Sequence, residues 1–199
     1  MEVLSQKLAK ASYYPPLFEA AFGTPEVTEG RIASALTQFL SSMITANSKF
    51  DRGQENNFAA FSELEKMGMT LFLSDRAKCA SCHSGPNFSA PDGPGDPYGG
   101  TTVKGTANIG LDLLYQDNGK GEGQFKIPSL RNIALTAPYM HDGRFNTLEE
   151  VVEHYNSGIQ AHTNLDAKLT GPDGNPQRLN LNAMEKSALV AFLKTLTDE

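Results

Sequence analysis

The chain has 199 residues, of which 39% are hydrophobic and 20% are charged, and its formal net charge is −6. This composition is ordinary for a soluble globular protein, and the length suits one domain, or one domain with an appendage. The charge shows no basic patch of the kind that nucleic-acid-binding proteins carry. No apolar run reaches the ~18 residues that a membrane span requires, and two cysteines are too few for a disulfide framework.

The first part of the chain is predicted to be helical. Apolar residues repeat at helical spacing from Ile32 to Ile44, behind Thr24 as a possible N-cap and Pro25 as the first helical residue. A second helix is predicted to begin at the capping box formed by Ser62 and Glu65, and it runs almost directly into a cysteine motif.

Residues 85–124 are dense in glycine, proline, aspartate and asparagine, which predicts long loops. A structureless stretch of this length is unusual inside a compact domain, so something other than side-chain packing is expected to order it. Helices are predicted again at the Thr147–Glu150 capping box and from Ala183 to Leu196, behind an Asn182–Glu185 cap. The predicted fold is therefore mostly α.

Both cysteines and one histidine form the motif Cys-x-x-Cys-His within CASCHSG, which is the attachment signal for c-type haem. In a helical turn, this spacing lets Cys79 and Cys82 bond the two vinyl-derived carbons of one haem edge. His83 is then expected to be the proximal iron ligand, with its other ring nitrogen donating to a backbone carbonyl. A thioredoxin-type pair would need a βαβ setting, and a structural zinc site would need a second ligand cluster. The motif thus predicts one covalent haem c, on which the loops can order.

The sixth iron ligand has two candidates. Met140 supplies a thioether from a loop, PYMHDG, before a helix. Tyr155 lies on the stripe of Leu148, Val151 and Val152, so its side chain is expected to point toward the core. Each residue can also be explained by packing alone, which leaves both candidates open at this point.

Three longer segments resemble the bacterial di-haem cytochrome c peroxidases, and above all their MauG-like branch. FKIPSLRNIALTAPYMHDGRFNTLEEVVEHYNSG, residues 125–158, resembles the distal half of the second haem domain, and ALTQFLSSMITANSKFDR and ALVAFLKTLTD resemble the same family. The resemblance implies a cytochrome c-like haem domain over residues 53–199, preceded by a helical segment, residues 1–52, that resembles the tail of the first domain. The first haem domain and its acid–base glutamate are expected to be missing, because only one Cys-x-x-Cys-His motif is present.

The resemblance favours Tyr155 over Met140, because Tyr155 falls where the MauG branch has an axial tyrosine and the peroxidase branch an axial methionine. A phenolate donates more electron density than a thioether, so a low reduction potential is expected. The resemblance also places His141 near the haem edge. His154 lies about 100° from Tyr155 on the helix and is expected to be solvated or hydrogen-bonded.

Further roles are expected for four other residues between positions 125 and 158. Lys126 and Arg131, which flank Pro128, are expected either to pair with the haem propionates or to be solvent-exposed cations. The resemblance implies that the carbonyl groups of Thr136 and Pro138 contribute to a calcium site between domains.

The function implied by the resemblance is hydrogen-peroxide-dependent oxidation, with electron transfer through a His/Tyr-ligated haem. The alternative is a single-haem electron-transfer cytochrome without turnover of its own, because a six-coordinate iron leaves no position for peroxide. The expected partners are an electron donor, such as a small cytochrome or cupredoxin, and a separate first-haem domain. Haem attachment of this kind follows export, so a periplasmic location is expected. Since MEVLSQKLAK lacks the layout of a secretion signal, the sequence is expected to be a mature or trimmed form.

Overall fold

A computed structural model describes residues 2–89 and 105–198, in two compact units that divide between Ile44 and Thr45. Part of the predicted glycine- and proline-rich loop, residues 90–104, therefore lies outside the described residues. The first unit contains α1 (Glu2–Lys10), α2 (Tyr14–Phe22) and α3 (Glu29–Ser42). None of the helices in the described part of the chain is long and apolar enough to cross a bilayer.

In the first unit, α3 begins later than the sequence predicts. Its N-cap is Thr28, whose hydroxyl accepts a hydrogen bond from the backbone N–H of Arg31 at 3.3 Å. Thr24 is therefore not the N-cap of α3. Its carbonyl group accepts a hydrogen bond from the Arg31 guanidinium at 3.1 Å. Ile32 is the buried residue of this helix, whereas the rest of the apolar stripe is exposed: Leu36, Phe39, Leu40, Met43 and Ile44.

The regular secondary structure of the second unit is almost entirely helical, as predicted, and long loops connect it. Its helices are α4 (Lys49–Glu55), α5 (Glu63–Leu73), α6 (Leu148–Glu153) and α7 (Ala183–Lys194), with a π-helix at His154–Gly158 directly after α6. Two short strands, β1 (Thr106–Ala107) and β2 (Phe125–Lys126), pair in antiparallel fashion. Single 3₁₀ turns occur at Cys79–Ser81, Ile133–Leu135 and Ala167–Leu169. The predicted boundary at 52/53 would cut α4, which belongs wholly to this unit.

Helices α5, α6 and α7 begin at the three predicted capping boxes. In each box, the side chain of the N-cap residue accepts a hydrogen bond from the backbone N–H of the glutamate three residues later. The carboxylate of that glutamate accepts a hydrogen bond from the backbone N–H of the N-cap residue. The pairs are Ser62 with Glu65, Thr147 with Glu150, and Asn182 with Glu185. These reciprocal bonds satisfy backbone donors that a helix start leaves unpaired, which explains why the local sequence was sufficient to place all three starts.

The core of the second unit lies where α5 crosses α7. Gly68 makes this close approach possible, because a Cβ built at this position lies 1.9 Å from the carbonyl oxygen of Ala188. Phe72 of α5 and Phe192 of α7 are almost fully buried, and their ring centroids are 5.1 Å apart. The predicted apolar face of α7 is buried: Leu189, Phe192, Leu193 and Leu196. This core forms one side of the site described next.

Candidate functional site

A cavity of about 470 Å³ lies inside the second unit. Four chemically active residues predicted from the sequence, Cys79, Cys82, His83 and Tyr155, line it together. Most other lining residues are apolar and come from segments far apart in the chain: Phe72, Ile109, Leu130, Val151, Leu179, Leu189 and Leu193. The volume falls in the range of small-molecule and cofactor sites, ~300–1,000 Å³. The lining therefore suits a large apolar group that is fixed by a few polar atoms.

The cysteine motif forms a tight turn on the cavity wall. The backbone N–H groups of Cys82 and His83 both donate to the carbonyl group of Cys79, at 3.2 and 2.9 Å. Lys78 enters the turn with φ of +57°, in the left-handed region that few non-glycine residues adopt. The turn brings both thiols and the imidazole to the same cavity, and the two cysteines are not joined by a disulfide.

The two thiols are poorly suited to thiolate chemistry. Burial raises the pKa of Cys79 to about 12. Burial also raises the pKa of Cys82, although the nearby Lys168 ammonium and a hydrogen bond with Ser81 partly oppose this effect. A redox-active dithiol needs an accessible thiolate, whereas a thioether carries no ionisable proton and can be buried without this cost.

His83 has the hydrogen bonding of a metal-ligating imidazole. Its Nδ1 lies 3.0 Å from the carbonyl oxygen of Phe88, and a carbonyl can only accept, so Nδ1 carries the proton in this contact. Nε2 then keeps the lone pair that a metal ion would bind. Burial lowers the pKa of His83, which favours the neutral ring, while the carbonyl groups of Phe88 and Pro128 act in the opposite direction.

Arg131 holds the loop after His83 and does not line the cavity. Its Nε donates to the carbonyl group of Pro86 at 2.6 Å, and its terminal nitrogens donate to both carboxylate oxygens of Asp51, at 2.8 and 2.9 Å. The side chains of this ion pair are only 12% and 13% exposed. The guanidinium is thus paired with Asp51, whereas the sequence predicted either a haem propionate as its partner or a solvent-exposed cation.

Both candidates for the sixth ligand, Met140 and Tyr155, line the cavity. Met140 has a φ of +72° and follows Tyr139, whose hydroxyl donates to the carbonyl group of Ile133 at 2.9 Å. Burial raises the pKa of Tyr155, and negative charge on either cysteine would raise it further. The phenol is therefore protonated at neutral pH unless a cation binds its oxygen.

Three further predicted residues, Lys126, Pro128 and His141, also line the cavity. The His141 ring stacks on Phe125, with centroids 3.6 Å apart and planes 11° from parallel. Thr136 and Pro138 are exposed and are not among the lining residues. Within residues 2–89 and 105–198, no group of three or more His, Cys, Asp or Glu side chains is arranged to hold a metal ion. A calcium site built from carbonyl groups stays a prediction.

Sequence reasoning missed Lys168, whose ammonium donates to the carbonyl group of Ser81, between the two cysteines. The loop composition around Lys168 gives no signal for this contact. For His154, the hydrogen-bonded alternative of the prediction is the one that the structure has, since the side chain is only 6% exposed and its Nε2 donates to the carbonyl group of Ile109.

The residues present fit a haem c. The cavity offers two thiols for thioether bonds, an imidazole nitrogen with a free lone pair, and a phenol or thioether as a second ligand, within mostly apolar walls. Lys126 is an exposed cation on the cavity lining, as a propionate partner would be.

Comparisons with known proteins agree with this chemistry. The family profile for di-haem cytochrome c peroxidase matches residues 1–58. Cytochrome c551 peroxidase from Nitrosomonas europaea is 34% identical over 202 residues, which cover 100% of this chain and 53% of that protein. The methylamine utilization protein MauG from Methylophilus methylotrophus is 30% identical over 97% of this chain and 54% of that protein. The chain thus spans about half the length of these relatives.

Solved structures include proteins of the same fold. A MauG-like protein associated with microbial copper homeostasis matches with a TM-score of 0.79 and 29% identity, over 100% of this chain and 62% of that one. The di-haem peroxidase BthA from Burkholderia thailandensis matches with a TM-score of 0.65 and 20% identity, over 98% of this chain and 58% of that one.

Proposed function

Because this chain belongs to the di-haem cytochrome c peroxidase and MauG family, we propose that it carries one covalent haem c and takes part in hydrogen-peroxide-dependent oxidation by electron transfer. The observation that carries the proposal is the convergence of Cys79, Cys82, His83 and Tyr155 on one apolar cavity. In this proposal the cysteines hold the haem through thioethers, and His83 Nε2 and the Tyr155 phenolate are the iron ligands.

A haem c bound here would supply one-electron redox chemistry, and the chain would set its potential and its access. Tyr155 as a phenolate would favour ferric iron and lower the reduction potential, whereas Met140, the alternative ligand, would raise it. The hydrogen bond from His83 Nδ1 to Phe88 would fix the orientation of the imidazole. The apolar walls would keep water away from the iron.

The remaining assignments complete the proposal. Lys126 would pair with a haem propionate, and His141 would lie at the haem edge. Carbonyl groups of Thr136 and Pro138 would contribute to a calcium site with another domain. The proposed location is the periplasm. The proposed partners are a small cytochrome or cupredoxin as the electron donor and a separate haem domain that binds peroxide.

A second candidate function is electron transfer without any turnover of peroxide by this chain. It is favoured by the presence of two potential sixth ligands, Met140 and Tyr155, on the cavity that contains His83. If either one occupies the sixth position, the iron offers no site for peroxide.

The test uses the chain produced in cells that attach c-type haem. We expect one haem that acidified acetone does not extract, and a low-spin ferric EPR spectrum. Peroxide reduction with a reduced small cytochrome then separates the two functions. Turnover together with a high-spin signal would show an enzyme, whereas a low-spin iron without turnover would show an electron-transfer unit. Extractable haem with free thiols at both cysteines would contradict both functions.

A further inference from the structure

We propose that His154 and Asn156, the two neighbours of Tyr155 in sequence, are positioning residues that direct the Tyr155 phenol into the cavity. The inference rests on the proposed function, in which Tyr155 binds iron. It assigns a role to two buried polar residues that the proposed function leaves without one.

Tyr155 lies in an unusual piece of backbone. Helix α6 ends at Glu153, and the chain continues as a π-helix over His154–Gly158. Such segments are rare, because their hydrogen-bond geometry is less favourable than that of an α-helix, and they occur frequently at functional sites. The sequence here, Asn156-Ser157-Gly158, has low helix propensity, so contacts from elsewhere must hold the segment.

His154 ties the segment to the loop before Leu111. Its side chain is buried, and its Nε2 donates to the carbonyl group of Ile109 at 3.0 Å. The same imidazole packs edge-to-face on the Tyr155 ring, with centroids 5.3 Å apart and planes at 72°. Because Ile109 itself lines the cavity, this bond connects Tyr155 to another part of the cavity wall.

Asn156 ties the segment to the chain that precedes α7. Its Oδ1 accepts from the backbone N–H of Leu181 at 2.8 Å, and its carbonyl group accepts from the N–H of Leu179 at 3.0 Å. Its Nδ2 donates to Glu153 at 3.1 Å. Leu179 and Leu181 both line the cavity. Tyr155 is therefore held between two buried residues, each bonded to a different segment of the wall.

The Tyr155 hydroxyl does not orient the ring by itself, since no hydrogen bond to it occurs among the described residues. Its direction must come from the backbone and from its neighbours. Polar groups are costly to bury unless they are hydrogen-bonded, and apolar side chains could fill the same space. Because His154 and Asn156 are buried and make directional hydrogen bonds to the cavity wall, we infer that they fix the position of the Tyr155 ring and do not merely fill space.

The test uses the haem-loaded chain and the rate at which cyanide binds ferric iron, because cyanide must displace Tyr155. We expect His154→Leu and Asn156→Leu to raise this rate on the order of tenfold or more, and to increase the high-spin fraction by EPR. His154→Gln keeps a donor near the position of Nε2 and is expected to retain most of the wild-type rate. The matched control is Ser157→Ala, because the Ser157 hydroxyl donates to Glu153, the last residue of α6, and, within the described part of the chain, to no other segment of the cavity wall.

A parallel Tyr155→Phe variant separates the two levels of failure. If Tyr155→Phe keeps the wild-type low-spin spectrum, the proposed ligand is wrong and the positioning role is overturned with it. If Tyr155→Phe becomes high-spin while both leucine variants are folded and keep the wild-type cyanide rate, the positioning role alone is overturned. Should Asn156→Leu fail to fold, Asn156→Ser replaces it. A raised rate in that variant supports the proposal, and an unchanged rate overturns it.

Discussion

The cavity is bounded by two segments that are held in place in different ways. The proximal segment, residues 78–88, contains the motif and folds on itself, with the N–H of His83 bonded to Cys79 and its ring bonded to Phe88. The distal segment, residues 139–158, contains Met140 and Tyr155 and depends on contacts with Ile109 and with residues 179–181. The proposed attachment site is thus encoded locally, whereas the position of the proposed sixth ligand depends on contacts from the rest of the unit.

The largest expected effect comes from removing the thiols of the proximal segment. The double variant Cys79→Ser, Cys82→Ser is expected to lose all covalent haem, because no other thiol is present in the chain. Mass spectrometry after acid–acetone extraction measures the adduct. Ser84→Ala, one residue beyond His83, is the matched control and is expected to keep one haem per chain. A haem adduct on the double variant would refute the proposed attachment.

The distal segment should respond in spin state rather than in haem content. Tyr155→Phe is expected to retain covalent haem, but to give high-spin iron and a raised reduction potential, because the anionic ligand is lost. Met140→Leu is expected to leave the EPR spectrum nearly unchanged. The opposite pattern, with low-spin iron abolished only by Met140→Leu, would identify an ordinary His/Met electron carrier.

The core that supports both segments can be tested at Gly68. Gly68→Ala is expected to lower the free energy of unfolding by ~3 kcal/mol, because the added methyl group meets the Ala188 carbonyl and must force α5 away from α7. Urea unfolding of the haem-loaded protein measures the loss. Gly30→Ala in α3, where a Cβ meets nothing within 4 Å, is expected to be neutral or slightly stabilising. Equal effects at the two glycines would contradict the close helix crossing.

The smallest expected effect concerns the ion pair between Asp51 and Arg131, whose guanidinium also bonds the loop of the proximal segment at Pro86. Hydrogen bonds from Arg131 lower the pKa of Asp51 to about 2, below its unfolded value of about 3.9. A lowered carboxyl pKa stabilises the folded state above the unfolded value, so this contribution is complete above about pH 5 and is lost as the pH falls toward 2. It amounts to ~2 kcal/mol.

Asp51→Asn is expected to flatten the fall in unfolding free energy between pH 5 and pH 2, as measured by urea titrations at each pH. Asp173→Asn serves as the control, because Asp173 lies in an exposed turn and bonds only Asn175 and local backbone. If both variants keep the wild-type slope, the Asp51–Arg131 pair does not stabilise the fold.

The features that could be predicted from the sequence are those with local causes. The capping boxes at Ser62, Thr147 and Asn182 placed three helix starts, because each box is complete within four residues. The Cys-x-x-Cys-His motif likewise predicted a turn, which the structure has at Cys79–Ser81. Local hydrogen bonding was sufficient in these cases.

The features that could not be predicted depend on distant partners. Arg131 was expected to pair with a haem propionate or to be a solvent-exposed cation, but its guanidinium donates to Asp51, 80 residues away in sequence. His154 was expected to be solvated or hydrogen-bonded, and the structure shows the second case, but the bonding partner is the carbonyl group of Ile109, 45 residues earlier in the chain. No spacing pattern marks such pairs, because each is created by the folded path of the chain. The π-helix also shifts the register on which helical-wheel reasoning at Tyr155 relies.

The volume of the cavity has a consequence for the folding of the second unit. Keeping 470 Å³ of apolar-lined space unfilled would cost about 11 kcal/mol, at ~24 cal/mol per Å³. That amount is comparable with the entire stability of an ordinary domain, ~5–15 kcal/mol. If the proposed haem c fills this space, a chain without it is therefore expected to lose most of the free energy that keeps the second unit folded. Binding of the proposed cofactor would then be a step in the folding of this unit.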